Sequence, residues 1–186
     1  MRIVVGITGA SGSIYGVRLL ERLRQYPAVE VHLVVSRVGQ QVLERETGKR
    51  LEDLNELADC RYDVENLEAP LASGSFLTHG MVVAPCSVRT MSAIASGVVS
   101  NLLLRAADVT LKERRRLILM VRETPLHLGH LRTMTALTEM GAIIAPPAPA
   151  FYLRPNSIAE LVDHSLDRIL DLMGLPPAEA QRWTGS

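Results

Sequence analysis

Aromatic side chains are scarce in this chain. Phe, Tyr and Trp together make up 4 % of the residues, against 47 % apolar, so the interior must be filled with aliphatic side chains. Cysteine is nearly missing as well. Cys60 and Cys86 share no metal-type spacing and do not form a disulfide framework. Neither sign of charge is in excess: 20 basic side chains balance 20 acidic ones, which argues against a dedicated nucleic-acid or membrane-surface protein. No apolar run approaches the ~20 residues that a membrane-spanning helix needs. The opening "MRIVVGITG" starts a strand at once and leaves no room for a signal peptide, so a cytoplasmic location is expected.

What is present suits one domain. A chain of 186 residues is long enough to bury a real core, and no linker or internal repeat divides 1–186. Charge is nonetheless uneven. Glu52 to Glu68 carries seven acidic residues and one basic residue, Arg61, and is expected to be a solvated surface connection. Asn101 to Arg132 carries seven basic and three acidic residues, which raises the question of an anionic ligand.

Strand-like runs fall at Arg2–Ile7, Val31–Val35, Met81–Ala84, Leu117–Val121 and Ala142–Ala145. Helical periodicity fills the gaps at Ile14–Gln25, Val38–Glu46, Val88–Ala95, Leu102–Glu113 and Leu128–Met140, and closes the chain at Ile158–Met173. Alternation of this kind predicts an α/β fold: a doubly wound, Rossmann-like or flavodoxin-like parallel sheet with helices on both faces. Ligands of such sheets bind beyond the carboxyl ends of the strands. There the chain offers "TGASGS", Ser36, "PCSVRT", "RETP" and "PPAPAFYLRP", four of them rich in hydroxyls, glycine or charge.

The first, within "GITGASGSIYG", brings glycines and serines to a helix start, where free N–H groups suit an anion. Its spacing is not the G-x-G-x-x-G of dinucleotide sites. The second strand ends in Ser36, where a ribose-binding acid would be needed. A phosphate or flavin is therefore expected and NAD is not. Ser87 and Thr90 repeat the pattern at a second helix start, where an ordinary cap would look the same. Cys86 has no His–Asp pair beside it and is expected to be buried and inert.

Arg105, Asp108 and Lys112 fall on one face of a mostly apolar helix, so the two cations call for an anion. His127 and His130 have helical spacing with Glu123 upstream. Pro125 interrupts that path and no third ligand is evident, so no metal is expected there. Tyr152 and Arg154 occupy a proline-bounded loop among the strand ends.

Taken together, "GITGASGSIYGVRLLE", "SGSF", "PCSVRT", "RAADVTLKERR", "VRETPLHLGHLRTM" and "PPAPAFYLRP" resemble the UbiX-type flavin prenyltransferases, in order and over almost the whole chain. The resemblance implies the fold of the flavin-containing homo-oligomeric decarboxylases. It also implies transfer of the dimethylallyl group of dimethylallyl phosphate to N5 and C6 of reduced FMN. The prenylated FMN would serve a UbiD-type decarboxylase, and the enzyme would be a dodecamer with sites between subunits. FMN contacts carried over are Gly9, Ala10, Ser11, Ser36, Ser87, Val88, Arg89, Thr90 and Arg122. Substrate contacts are Tyr152, Arg168, Lys112 and Arg105, and the catalytic set is Glu123, Ser11, Lys112 and Arg105, without metal. Position 89, lysine in some relatives, is Arg89 here, and Ser13 stands where alanine is common. Flavin-dependent decarboxylation and non-catalytic FMN carriage remain the alternatives; a PASANT-like phrase, expected of cysteine decarboxylases, is replaced here by "APCSVRT".

On these grounds the protein is expected to retain FMN and not NAD in equilibrium dialysis against both. Retention of NAD without FMN would contradict the reading of Ser36 and of the glycine spacing.

Overall fold

β-branched and aliphatic runs form the strands of a computed structural model whose described residues are 1–176. β1 (Arg2–Ile7), β2 (Glu30–Val35), β3 (Cys60–Tyr62), β4 (Gly80–Cys86), β5 (Arg116–Val121) and β6 (Ile143–Ile144) build one sheet in the order β3-β2-β1-β4-β5-β6. Every neighbouring pair is parallel. The chain winds outward from β1 to β3, then returns to β4 beside β1 and winds the other way, so the switch point lies between β1 and β4.

The helices are α1 (Ser13–Leu23), α2 (Arg37–Thr47), α3 (Val88–Ala95), α4 (Leu102–Lys112), α5 (Leu128–Glu139) and α6 (Ile158–Met173). Serine or asparagine caps start four of them: Ser36, Ser87, Asn101 and Ser157 each accept a backbone N–H two or three residues into the helix. Alternation along the strands sends Val5, Ile7, Leu33 and Val35 into a core shared with α1 and α6. Val4, Val34, Met81 and Val83 enter a second core, shared with α3 and α4 on the opposite face. Parallel strands covered on both faces read as continuous apolar runs for this reason. Arg18 binds Asp163 and Arg22 binds Asp167, each at 2.5 Å, which ties α6 across α1.

The expected elements are present with shifts of a residue or two at their ends, and the run Ala142–Ala145 narrows to two paired residues. The acidic stretch 52–68 contains a strand the sequence reading lacked. Its three-residue strand β3 is too short and too polar for periodicity to expose; pairing with β2 forms it.

At the switch point the loops after β1 and β4 are joined by one buried hydroxyl. Thr8 Oγ1 donates to the Pro85 carbonyl at 2.7 Å and accepts the Ser87 N–H at 2.8 Å. Thr8 itself is 1 % exposed. Thr8→Val keeps the shape but leaves the Ser87 N–H without its acceptor. A loss of about 1–3 kcal/mol in urea unfolding followed by circular dichroism is expected; an unchanged midpoint would show that the bridge contributes nothing.

Candidate active site

Three separate clefts receive some of the side chains singled out in the sequence: Ser36, Arg89 and Thr90 in one, Tyr152 and Arg168 in another, Lys112 in a third. The first, of about 430 Å³, lies at the carboxyl end of the sheet and is lined by Ser36, Val38, Arg89, Thr90 and Leu104 among others. Ser36 and Ser87 sit here because each ends a strand segment and caps the next helix. Their side-chain oxygens accept the Gly39 and Thr90 N–H groups at 3.0 and 3.2 Å. Val88 and Arg89 follow as the first residues of α3. Beside them Arg122 and Glu123 leave β5; Arg122 donates its backbone N–H to the Cys86 carbonyl at 3.1 Å. Both side chains are exposed. Among the described residues, Glu123 accepts the N–H of Thr124 and no other, at 2.9 Å. Among the described residues no carboxylate lies within ion-pair distance of Arg89 or Arg122, so both cations remain available to an anion.

The second cleft, about 720 Å³, lies between the loop after β6 and α6, and Tyr152 and Arg168 line it together with Ser165 and Asp167. Tyr15 of α1 reaches Ser165 with its hydroxyl. Partial burial pushes its pKa up, against that hydrogen bond and the nearby Arg122 charge. Arg122 therefore stands on the side of the strand ends that faces this cleft.

Arg105 and Lys112 belong to neither. Lys112 and Asp108 line a third cleft of about 420 Å³ with Leu111 and Met140. Lys112 is in the last turn of α4, four residues ahead of β5, whereas Glu123 follows β5. The six residues of that strand put roughly 20 Å between the two. The cations of α4 also have partners already: Arg105 binds Asp108 at 2.6 Å and the Ala72 carbonyl at 3.1 Å, and Lys112 pairs with Glu113. The sequence expectation that these charges need an outside anion does not hold within one chain, because neighbours on and around α4 neutralise them.

The glycine-rich loop holds a second departure. Its helix start was expected to offer free N–H groups, yet Glu46 Oε2 accepts both the Gly12 and the Ser13 N–H at 2.9 Å. Ser11 also hydrogen-bonds this carboxylate with its side chain. Partial burial acts to raise the Glu46 pKa, but the bonds from Ser11, Ser13 and Gly12 outweigh it and hold the group below the usual range. Glu46 sits in the last turn of α2, more than thirty residues from the loop, and no sequence signal marks it. Gly9 and Ala10, at the start of the same loop, are half-buried, and Gly9 abuts Val38.

Two further expectations concern reactive groups. Cys86 is fully buried and its thiol is pushed up to about 12 by that burial, consistent with an inert side chain. His127 caps α5 by accepting the Gly129 N–H at 3.0 Å, and its ring stacks on His130 with centroids 3.6 Å apart. The cap accounts for His127, while His130 Nδ1 is buried without a hydrogen-bond partner among the described residues.

A family model described as Flavoprotein matches residues 1–169. The chain is 51 % identical over 186 residues to the flavin prenyltransferase UbiX of Thauera aromatica, spanning 100 % of this chain and 95 % of that protein. It is similar to the dodecameric FMN-dependent UbiX-like decarboxylase of Escherichia coli O157:H7, with a TM-score of 0.97, 45 % identity and full coverage of both chains. AnUbiX, solved in complex with FMN and dimethylallyl pyrophosphate, matches with a TM-score of 0.97 and 46 % identity over 100 % of this chain and 98 % of that one.

Glu46→Gln removes the charge that faces the α1 N-terminus. A charge of this kind on an exposed side chain stabilises by about 0.3–1 kcal/mol. Because the folded-state pKa is lowered, the contribution is present above the ordinary carboxylate range and disappears as pH falls through the folded value. The variant should melt below the parent at pH 7, and the two should converge in acid. A gap that persists unchanged at pH 3 would exclude the carboxylate as its source.

Proposed function

The chain belongs to the UbiX flavin prenyltransferases, within the Flavoprotein family, and on that premise we propose that it joins the dimethylallyl group of dimethylallyl phosphate to reduced FMN. The observation that carries this is 51 % identity along the whole chain to proteins of that activity. The product serves a UbiD-type decarboxylase. The protein works as one flavoprotein domain spanning 1–186, in a cytoplasmic homo-oligomer, a dodecamer like its solved relative. Among the described residues no helix is long and apolar enough to cross a membrane.

The residues present suit FMN. Unpaired Arg89 and Arg122, the hydroxyls of Ser36, Ser87 and Thr90, and the start of α3 converge where an anionic group and a polar ring edge need donors. Gly9, which abuts the cleft residue Val38, and its neighbours Ala10 and Ser11 complete the set with Val88. Reduced FMN supplies the nucleophilic N5 and C6 atoms that accept the prenyl group.

Heterolysis of the allylic C–O bond leaves both electrons on the phosphate and a cationic dimethylallyl fragment. Arg168 meets the added phosphate charge and the Tyr152 hydroxyl donates to it, so no metal is required. Lys112 lies too far from Glu123 within one chain, and Arg105 and Lys112 act on the site of a neighbouring subunit, exchanging their carboxylate partners for phosphate. Ser11 gives a neutral hydrogen bond near the reacting end. Glu123, adjacent to Arg122 and with one oxygen unengaged, takes the proton released at the acceptor or passes it to phosphate.

Decarboxylation is the second reading, since the solved Escherichia coli O157:H7 relative is described as an FMN-dependent decarboxylase. Mass analysis of the flavin after incubation with reduced FMN and dimethylallyl phosphate separates the two: prenyl transfer adds a five-carbon unit, and decarboxylation leaves the flavin mass unchanged.

Glu123→Gln should bind FMN like the parent and transfer the prenyl group about 10²–10⁴-fold more slowly. Arg122→Ala should weaken FMN binding first. If Glu123→Gln loses flavin but transfers at the parental rate once saturated, the carboxylate is structural.

A further inference from the structure

At the opposite end of the sheet from the flavin residues, strand register assembles a group that chain order conceals. Arg2, Glu30 and His32 fall on one face of β1 and β2, with Arg2 opposite Glu30 in the register. His32 is in turn the register partner of Cys60 on β3, and Tyr62 lies two residues further along that strand on the same face. Glu30, His32 and Cys60 each bring one ligand-type atom within 4.8 Å of the other two.

The histidine is set up as a ligand. Its side chain is 1 % exposed, and Nδ1 lies 2.9 Å from the Tyr62 hydroxyl. The ring is sandwiched between Tyr62, with centroids 5.8 Å apart, and Phe76, at 5.3 Å. Nε2, at the other end of the ring, is buried without a hydrogen-bond partner among the described residues. Glu30 Oε1 is 3.1 Å from it, in a geometry short of a hydrogen bond. An orphaned ring nitrogen in the interior is costly unless something binds it. A metal-bound histidine normally has its second nitrogen hydrogen-bonded and its ligating nitrogen free, which is the division found here.

We propose that Glu30 Oε1, His32 Nε2 and Cys60 Sγ bind a divalent cation of the zinc class. Carboxylate, imidazole and thiolate are the ligand types such ions select. The fourth position stays open to water, since Cys60 and Glu30 are partly exposed. Binding requires Cys60 to release its thiol proton to solvent. The Tyr62 hydroxyl reaches the Cys60 side chain as well as His32. Arg2 occupies the other Glu30 oxygen at 2.9 Å and leaves Oε1 for the ion. The ion would pin β3, the shortest edge strand on that side, to β2, and it has no part in prenyl transfer.

Untagged protein, stripped with chelator, is titrated with cobalt(II). One equivalent per chain should bind, with the near-ultraviolet thiolate-to-cobalt charge-transfer band. Cys60→Ser should lose that band while its FMN binding stays parental, because the strand ends are on the far side of the sheet. Tyr62→Phe should keep the band and lower metal affinity about 10–100-fold, as removal of a group behind a ligand does. Zinc should raise the melting temperature of the parent and not that of Cys60→Ser. Absence of the band at millimolar cobalt, or its persistence in Cys60→Ser, overturns the site.

Discussion

One buried hydroxyl governs where the strand ends stand. Thr8 Oγ1 joins the loop after β1 to the loop after β4 through the Pro85 carbonyl and the Ser87 N–H. These strands are the two that flank the switch point, and the bridge continues the contact beyond the last residues of their parallel ladder. Ser87 then caps α3, and the Cys86 carbonyl receives the Arg122 N–H. The positions of Ser87, Val88, Arg89, Thr90 and Arg122 relative to the glycine-rich loop thus descend from a single pair of hydrogen bonds. The cluster is buried, which makes each bond expensive to leave unmade.

Charge is divided unevenly between the two helix starts that face this region. Glu46 fills the α1 start with an internal anion, using the Gly12 and Ser13 N–H groups. The α3 start has no such carboxylate among the described residues, and unpaired Arg89 and Arg122 flank it. An incoming anion therefore meets attraction on the β4–β5 side and a competing carboxylate on the α1 side. The same division gives the glycine-rich loop its order: it is held by the protein itself and need not wait for a ligand to fix it.

The cations of α4 follow a different logic. Arg105 and Lys112 are neutralised by Asp108 and Glu113 within their own neighbourhood, and α4 covers the face of the sheet opposite α6, which carries Arg168. The length of β5 keeps Lys112 apart from Glu123 within one chain. Exposed apolar residues such as Leu77, Leu128, Phe151 and Ile158 leave surface for contact with further copies, as in the dodecameric relative.

Local pattern was enough to determine much of this protein. Apolar runs of four to six residues and helical spacing between them announced five strands and all six helices, because burial on both faces of a parallel sheet writes itself into consecutive residues. Hydroxyl and glycine residues after those strands marked the ligand end, and the phrases around Arg122, Glu123 and Tyr152 carried the family. Tertiary structure alone decided the rest. β3 exists only through pairing with β2, so three half-polar residues gave no periodic sign of it. Glu46 reaches the glycine loop across more than thirty residues of chain, and its side chain resembles any other charge on a solvated helix. The separation of Lys112 from Glu123 by the length of β5 is invisible when the two are eleven residues apart in sequence. His32 and Cys60 show no ligand spacing because parallel register, and not chain proximity, brings them face to face. In each case the missing information is a long-range contact, and contacts of that kind depend on how strands pair and helices cover them.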